Sequence, residues 1–531
     1  INAKTGEEVR LNKKQLEEAA CEMRVLNLVS IHAAGSGHPG GTLSLMDIVA
    51  ALYLNEARLD PDNPEWPERD RIVFSTGHKA PALYAALAKA GFYSNEDIVT
   101  LRKLDSPFQG HPHAPKLKGV EISTGSLGQG LSVAVGFALA AKLDKKDHRV
   151  YCILGDGEQQ EGSIWEAAMA AAHFHLENLC AIIDCNNLQI DGWVKDVMNV
   201  EPLKDKYESF GWHAIEIDGH EMHQILSAFE EARSVTGKPT VILAKTVKGK
   251  GVSFMENIAG WHGKATGSRA EFDKALQDIS CPSIQEKTLE QLFQAAEQYQ
   301  TEVEKKLSRE LPQMPVNYWW NSGQWKGRSS MTVDMKPTRA GFGACLDAYG
   351  DDERIVTVHA DISNSIKISD FEANHPERNN RVISVGIAEQ NMMTIAAGMA
   401  LEGKIPITGT YGVFASGRPW DQLRTTVCYD NLNVKIAGAH GGVSVGPDGA
   451  THQALEEISL MSVLPNMHLI VPCDSVETKR LSKISILDVH GPVYIRFARE
   501  ATPVVTDETT PLEFGKANVI RYRGPNDRFK D

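Results

Sequence analysis

Residues 151–187, YCILGDGEQQEGSIWEAAMAAAHFHLENLCAIIDCNN, decide the fold of this chain. Tyr151–Leu154 and Leu179–Asp184 are apolar runs of strand length, and Trp165–Phe174 between them has helical periodicity. A strand, a helix and a second strand predict two neighbouring parallel strands in a sheet that is covered by helices. The stretch therefore indicates an α/β fold.

Glycines and polar residues follow both strands. Gly155-Asp156-Gly157-Glu158 comes directly after the first strand, and Asn186 follows the second. Because ligands bind at the carboxyl ends of parallel strands, we expect these residues to share one site. Glycine lets the backbone approach a diphosphate closely, and Mg²⁺ or Ca²⁺ prefers oxygens such as those of Asp156 and Asn186. A plain turn would explain GDG alone, but the asparagine after the second strand favours a metal–diphosphate site.

The same alternation of strands and helices recurs in two regions of the chain, which predicts two parallel sheets covered by helices. The further strand candidates are Pro239–Lys245, Ile355–Val358, Val382–Val385, Ile405–Thr408, Val434–Ala437 and His468–Val471. Ala388–Ala400 is predicted to be a helix between two of these strands.

The predicted domain boundaries follow from shifts in composition. Residues 1–280 form the first domain, 336–505 the second, and 506–531 the start of a further, truncated domain. The connector, 281–335, contains a charged helical stretch, Leu289–Leu311, and then a stretch rich in Pro, Gly, Ser and Trp, Pro312–Arg328. Met331 is compatible with a fusion of two formerly separate chains, and equally with an ordinary linker that contains a methionine.

Composition excludes several classes of function. The chain has 531 residues and a net charge of −14, which argues against a nucleic-acid surface. No apolar run has the length of a membrane span. The eight cysteines are scattered and form no CxxC pair, so they predict reduced thiols and a cytoplasmic protein. Because the sequence does not begin with Met, a removed targeting segment remains open.

Four loops place a histidine beside a glycine: Ser36–Gly40, Ser75–His78, Gly110–Pro112 and Trp261–Gly263. Any one of these histidines alone would be typical of a core residue. GDGEQQEG and IIDCNNLQIDG, however, resemble the signature of thiamine-diphosphate enzymes, and the histidine loops together with Ser123–Gly130 resemble transketolase over nearly the whole chain. The resemblance implies a diphosphate-binding and a pyrimidine-binding domain, with the family's third domain almost absent.

The resemblance also implies the cofactor site. Thiamine diphosphate and Mg²⁺ (or Ca²⁺ or Mn²⁺) are expected, with Asp156, Asn186 and the Leu188 carbonyl on the metal. Glu389 would hydrogen-bond the pyrimidine and activate the cofactor, whereas without the resemblance it is a helix-start carboxylate stabilised by the helix dipole. The other cofactor contacts that the resemblance implies are His78, Gly125, Leu127, Gly155, Gly157, Glu158, Ile190, His262, Asp361 and Phe414.

Sugar binding and catalysis follow by the same resemblance. His38, His111 and His262 would face sugar hydroxyls, and His452 would also move protons. Glu161 would lie near Glu389 of a partner chain. Arginine suits phosphate because its planar fork donates two parallel hydrogen bonds. The remaining substrate residues implied are Arg339, Ser365, His440, Asp448 and Arg499.

The implied activity is that of a homodimeric glycolaldehyde transferase in carbohydrate metabolism and the pentose phosphate pathway. It would move a two-carbon ketol unit reversibly from a ketose phosphate such as xylulose 5-phosphate to an aldose phosphate, through a thiamine-bound enamine. Ser126, Lys248, Gln390 and Gly417 depart from the yeast pattern, and Lys248 with Trp261–Lys264 is nearer the animal and split-chain branches.

Three alternatives to this activity stay open. The first is a ketolase for a sulfonated donor. The second, a deoxyxylulose-phosphate synthase, is disfavoured because it needs no dense set of hydroxyl-reading histidines. The third is a non-catalytic homologue, against which the presence of Asp156, Asn186 and Glu389 argues.

Overall fold

The computed structural model describes residues 6, 8–310, 334–401, 403–429 and 431–516. The chain divides into two compact units. The first consists of Ile1–Leu311 with Gly386–Ala388 and Gly446–His452, and the second contains the rest. Pro312–Arg328, Met331 and most of the predicted truncated domain lie outside the described residues. The proposed connector and domain boundaries therefore stay predictions.

The first unit contains a five-stranded parallel sheet with the strand order β1-β2-β3-β5-β4. Its strands are β1 Arg71–Phe74, β2 Val150–Gly155, β3 Leu179–Cys185, β4 His213–Asp218 and β5 Thr240–Lys245.

Helices cover this sheet, and two apolar clusters form its core. Every residue of β2 and β3 is buried, as expected for central strands covered on both faces. The helices are α1 Lys13–Ala34, α2 Pro39–Ala51, α3 Ala80–Lys89, α4 Asn95–Ile98, α5 Gly130–Leu143, α6 Gly162–His173, α7 Val194–Met198, α8 Leu203–Ser209, α9 Met222–Ser234, α10 Arg269–Ile279 and α11 Glu286–Glu310.

The strand pair predicted from residues 151–187 is confirmed. β2 and β3 are parallel neighbours, and Gly155 at the end of β2 is in register with Asp184 on β3. α6 connects the two strands and is separated only by Glu161 from a short 3₁₀ helix, Gly157–Gln160. The GDGE turn and the residues after β3 therefore lie at the same edge of the sheet.

The second unit contains a six-stranded parallel sheet with the order β11-β12-β10-β9-β7-β8, and a separate two-stranded antiparallel sheet of β6 and β13. The strands are β6 Met335–Pro337, β7 Ile355–His359, β8 Val382–Ser384, β9 Ile405–Tyr411, β10 Lys435–Ala439, β11 His468–Ile470, β12 Val493–Arg496 and β13 Ala501–Pro503.

Two apolar clusters form the core of the second unit as well. The two parallel sheets with covering helices confirm the predicted α/β class. Among the described residues, no helix combines the length and apolarity needed to cross a membrane. The helices of this unit are α12 Thr338–Tyr349, α13 Glu389–Leu401, α14 Gly412–Gly417, α15 Trp420–Gln422, α16 Glu457–Ser462 and α17 Ser475–Leu487.

Candidate active site

The carboxylate of Asp156 lies at the turn after β2. Its Oδ1 accepts a hydrogen bond from the Gly157 amide at 2.8 Å, and its Oδ2 accepts one from the Asn187 amide. Asp156 is only 5% exposed. Burial, together with the nearby Asp184 carboxylate, raises the pKa of Asp156 to about 6. The turn after β2 and the segment after β3 are thus joined through this one side chain.

Asp184, at the end of β3, holds the neighbouring groups in place. Its Oδ2 accepts from Lys79 Nζ at 2.6 Å, from Ser44 Oγ at 2.6 Å and from Asn186 Nδ2 at 2.9 Å. Its Oδ1 accepts from the Thr246 hydroxyl. Although burial opposes ionisation, Lys79 holds the pKa of Asp184 below its usual value. Neither Asp184 nor Lys79 was predicted to belong to the site, although a charged residue inside an apolar strand run was the signal for Asp184.

Glu158 faces the protein from the same turn. Its Oε1 accepts from the Gly128 amide at 2.8 Å and from the Ser75 hydroxyl, and its Oε2 accepts from the Gly155 amide at 3.1 Å. Burial raises the pKa of Glu158. The side chain therefore ties the Ser75–His78 and Ser123–Gly130 loops to the turn, and its predicted cofactor contact stays a prediction.

Lys248 connects the segment after β3 to a histidine. Asn186 Oδ1 accepts from the Leu188 amide at 3.1 Å. The Leu188 carbonyl accepts from Lys248 Nζ at 2.8 Å, and the same ammonium lies 2.6 Å from His262 Nδ1. Lys248 is 1% exposed. Lys248 was predicted only as a departure from the yeast pattern, but its ammonium donates to the carbonyl of Leu188, a predicted metal ligand.

The four histidine loops come together in the first unit. The ring centroids lie 5.4 Å apart for His38 and His78, 5.7 Å for His38 and His262, 5.2 Å for His78 and His262, and 6.0 Å for His38 and His111. The clustering that the sequence suggested is therefore present, although the roles assigned to these residues remain predictions.

Burial keeps these imidazoles neutral. It lowers the pKa of His38, His78 and His262 well below the usual value, and neighbouring cations and histidines add to the effect. The pKa of His111 falls to about 4, again mainly through burial. A neutral imidazole offers one donor and one acceptor, which is what the recognition of hydroxyl groups requires.

Two further predicted residues belong to the segment Gly446–His452 of the first unit. His111 Nδ1 donates to the Asp448 carbonyl at 2.7 Å, and the rings of His111 and His452 stack at 4.2 Å. Arg102, which the sequence analysis did not single out, donates to Asp448 Oδ1 at 3.3 Å and to His38 Nδ1 at 3.2 Å.

Glycines at this edge differ in how much space surrounds them. A Cβ on Gly77 would lie 2.6 Å from the Thr124 carbonyl carbon, and one on Gly125 would lie 2.4 Å from Thr451 Oγ1. At Gly157 the nearest atom would be 3.5 Å away, which is an ordinary contact. The protein itself therefore requires glycine at position 77 but leaves room at position 157.

The remaining first-unit predictions occupy varied environments. Leu127 is partly buried, and Ile190 is 40% exposed. Glu161 is buried and directly precedes α6. The Oγ1 of Thr76, beside His78, is buried and has no hydrogen-bond partner within the described part of the chain.

In the second unit, Glu389 begins α13 and is 4% exposed. Its Oε2 accepts from Arg418 Nη1 at 2.7 Å. The Arg418 guanidinium also lies 4.7 Å from the ring centroid of Phe414. Glu389 and Phe414 were predicted to bind the pyrimidine. Arg418, which was not predicted, contacts both of them. Asp361, predicted near the cofactor, is 2% exposed and follows β7 with a φ of 63°.

The predicted substrate clamp in the second unit forms a basic cluster. Arg339 Nη1 donates to the Ser365 carbonyl at 2.6 Å and to His440 Nε2 at 3.3 Å. Arg499 donates to the Val445 carbonyl at 3.0 Å. Burial, with Arg339 and Arg499 nearby, lowers the pKa of His440 to about 2.

Two polar atoms of this cluster have no partner in the described ranges: Arg339 Nε and His440 Nδ1 are buried without a hydrogen bond. Since His440 Nε2 accepts from Arg339, the ring proton lies on Nδ1. Both atoms are therefore donors, and an oxyanion is the ligand that would satisfy them.

The chain matches two family models in sequence. Residues 16–310 match the transketolase, thiamine diphosphate binding domain, and residues 334–504 match the transketolase, pyrimidine binding domain. The fold and these two domains define a thiamine-diphosphate-binding protein. The chain belongs to the transketolase family, a class of thiamine-diphosphate enzymes.

Individual relatives agree with this assignment. The chain is 34% identical to human transketolase over 508 residues, which are 95% of this chain and 77% of that protein. It is 47% identical over 247 residues to a clostridial 6-deoxy-6-sulfo-D-fructose transketolase subunit, which are 46% of this chain and 90% of that protein. The structure of Campylobacter jejuni transketolase matches 93% of this chain and 80% of its own, with 30% identity and a TM-score of 0.50.

Proposed function

We propose that this protein is an active transketolase, which transfers a two-carbon ketol unit from a ketose phosphate to an aldose phosphate with thiamine diphosphate and Mg²⁺. The observation that carries the proposal is the Lys248 ammonium, which bridges the Leu188 carbonyl and His262. That bridge joins the histidine cluster to the segment with the predicted metal ligands, so a diphosphate and a sugar could be held in one place.

The residues present fit a metal–diphosphate group. Asp156, Asn186 Oδ1 and the Leu188 carbonyl are hard oxygen donors of the kind that Mg²⁺ takes, and water and diphosphate oxygens would complete its octahedron. Among the described residues no group of three or more His, Cys, Asp or Glu could hold a metal, so a metal here would also depend on Asn186, the Leu188 carbonyl and the diphosphate. The space beside Gly157 and the unpartnered Thr76 hydroxyl supply room and a donor.

When bound, thiamine diphosphate supplies the electron sink for breaking the donor's carbon–carbon bond. Glu389 holds a proton at the pyrimidine ring nitrogen, with Arg418 fixing Oε2 of its carboxylate. The neutral histidines of the first unit orient the sugar hydroxyls, and His452 takes and returns a hydroxyl proton. Arg339 and Arg499 bind the terminal anion of the sugar.

The direct test is a coupled assay with xylulose 5-phosphate and ribose 5-phosphate, with and without thiamine diphosphate. Turnover that depends on the cofactor is expected. No turnover with any ketose phosphate or sulfonated ketose would overturn the proposal. Glu389→Gln should abolish hydrogen exchange at C2 of the bound cofactor and leave Mg²⁺ binding intact, and unchanged exchange would refute the role of Glu389.

We further propose a homodimer in which each site combines Asp156 of one subunit with Glu389 of the other. Two inactive variants, Asp156→Asn and Glu389→Gln, should then complement each other. Half of randomly mixed dimers would pair the two variants, and each such dimer would contain one intact site, so activity should return to roughly a quarter of wild type. No recovery after unfolding and remixing would show that each site is built within one chain.

A second candidate is a transketolase for sulfonated donors, favoured by the 47% identity to the sulfofructose transketolase subunit. The Arg339–His440–Arg499 cluster would bind a sulfonate monoanion as well as a phosphate dianion, since both present three oxygens. Comparing kcat/KM for fructose 6-phosphate and 6-deoxy-6-sulfofructose separates the candidates. A tenfold or greater preference for the sulfonate would replace the first proposal by the second.

A further inference from the structure

Three consecutive residues after β5 are each fixed by a different element of the first unit. The Thr246 hydroxyl donates to Asp184 on β3. The Val247 amide donates to Nε2 of His220 at 2.9 Å. Lys248 Nζ then reaches the Leu188 carbonyl and His262. The position of the ammonium is therefore set by the backbone of this segment as well as by its own contacts.

The hydrogen bonds of His220 define its tautomer. Because Nε2 accepts from the Val247 amide, the ring proton lies on Nδ1, which is 2.8 Å from Asp47 Oδ2 and donates to it. Asp47 on α2 also accepts two hydrogen bonds from Arg24 on α1. The side chains of Asp47 and His220 are 11% and 12% exposed. Although burial opposes its ionisation, Arg24 and His220 hold the pKa of Asp47 below its usual range.

We propose that His220 is a positioning residue for the diphosphate site, which acts through the Val247 amide to place the Lys248 ammonium against the cofactor's diphosphate. Arg24 and Asp47 orient His220 in turn. The inference rests on the proposed function, since it requires a diphosphate beside Leu188.

The flexibility of the lysine side chain explains why Lys248 would need such positioning. Its ammonium is a point charge on a flexible four-carbon stem, so its placement depends on the backbone from which it extends. The backbone around Lys248 is held on both sides: the Gly249 amide donates to the Gly40 carbonyl at 2.8 Å, and the Asn257 amide donates to the Lys248 carbonyl at 2.9 Å. His220 fixes the Val247 amide, which directly precedes Lys248 in the chain.

The test measures the affinity of the intact protein for thiamine diphosphate with Mg²⁺ by titration calorimetry, with thiamine as a probe that lacks the diphosphate. His220→Leu should weaken thiamine diphosphate binding by about tenfold, in the range typical of residues that support a ligand-binding residue, and leave thiamine binding unchanged. His220→Gln should recover most of the loss, because its amide can accept from Val247 and donate to Asp47. The matched control is His213→Leu, which breaks a His–carboxylate pair on β4, where His213 lies 2.7 Å from Glu231.

The decisive comparison is a double-mutant cycle with Lys248→Met. If His220 acts through Lys248, the His220→Leu/Lys248→Met double variant should bind thiamine diphosphate no more weakly than Lys248→Met alone. Additive losses, or an unchanged affinity in His220→Leu, would overturn the proposal.

Two further outcomes are distinguishable. A wild-type protein that does not bind thiamine diphosphate would overturn the proposed function and this inference with it. If His220→Leu does not fold, judged by circular dichroism, Asp47→Asn takes its place and should weaken thiamine diphosphate binding several-fold; an unchanged affinity in a folded Asp47→Asn protein would also overturn the inference.

Discussion

Replacing Asp184 by Asn removes the negative charge from an ion pair that is closed to solvent. The side chains of Lys79 and Asp184 are 3% and 0% exposed, and Lys79 Nζ lies 2.6 Å from Asp184 Oδ2. An asparagine there leaves the Lys79 charge buried without its counter-ion. Breaking a buried pair by removing one partner costs about 3–5 kcal/mol of the free energy of unfolding. With an unfolding entropy of about 2.1 cal/mol/K per residue, a unit of roughly 300 residues should lose about 5–8 °C in Tm.

Thermal unfolding of the cofactor-free protein, followed by circular dichroism, measures the effect without a contribution from ligand binding. Asp147→Asn is the matched control, because Asp147 pairs with Arg58 at 3.2 Å but its side chain is 82% exposed. That change should cost less than about 1 kcal/mol. The double variant Asp184→Asn/Lys79→Met should recover part of the loss, since it removes both buried charges. A fall in Tm no larger than that of the control would refute the reasoning.

Three further outcomes follow from single contacts. Gly157→Ala should leave the Tm of the cofactor-free protein unchanged but weaken thiamine diphosphate binding, whereas Gly77→Ala should lower the Tm because its Cβ would meet backbone at 2.6 Å. Burial lowers the pKa of Lys435 from 10.5 to about 7. Between these two pH values the unfolded chain binds more protons than the folded protein, so the free energy of unfolding should rise with pH. The midpoint of urea unfolding should show this rise in the wild type and lack it in Lys435→Met. Arg339→Leu should raise KM for phosphorylated ketoses by about tenfold or more in steady-state assays, but not KM for an unphosphorylated ketose.

Local sequence pattern was enough to predict the sheets and the edge that carries the site. Buried central strands such as β2 and β3 are continuous apolar runs, and the glycine and asparagine residues after them mark the ends of strands. β1, β4 and β12 were missed among the strands of the parallel sheets. β1 has only three apolar residues after Arg71, β12 has three before Arg496, and β4 contains histidine, glutamate and aspartate, so none of them is a long continuous apolar run.

The side-chain partners of the site could not be predicted in the same way. Lys79 and Asp184 are 105 positions apart, and Asp47 and His220 are 173 apart, so only the folded sheet brings them together. Arg418 pairs with Glu389 across 29 positions and two helices, and no spacing rule connects them. The four histidines were found because each stands beside glycine in a loop, which is a local signal. Asp184 also had a local signal, as the one charged residue in the apolar strand β3, but nothing in the local sequence indicated its partner Lys79.

The two-stranded sheet of β6 and β13 has a practical consequence for handling this protein. Thr502 pairs with Lys336 in the ladder, and the Val504 amide donates to the Asp334 carbonyl at 2.8 Å, so two stretches that are far apart in sequence meet at this sheet. The residues after β13 stay attached to the same unit, because the Val505 and Thr506 amides donate to Asp474 Oδ2 and Arg480 donates to the Asp507 carbonyl. A shortened version of this unit should therefore start no later than 334 and run beyond 507, since ending it at β13 would leave the buried Asp474 carboxylate without the donors that these residues supply.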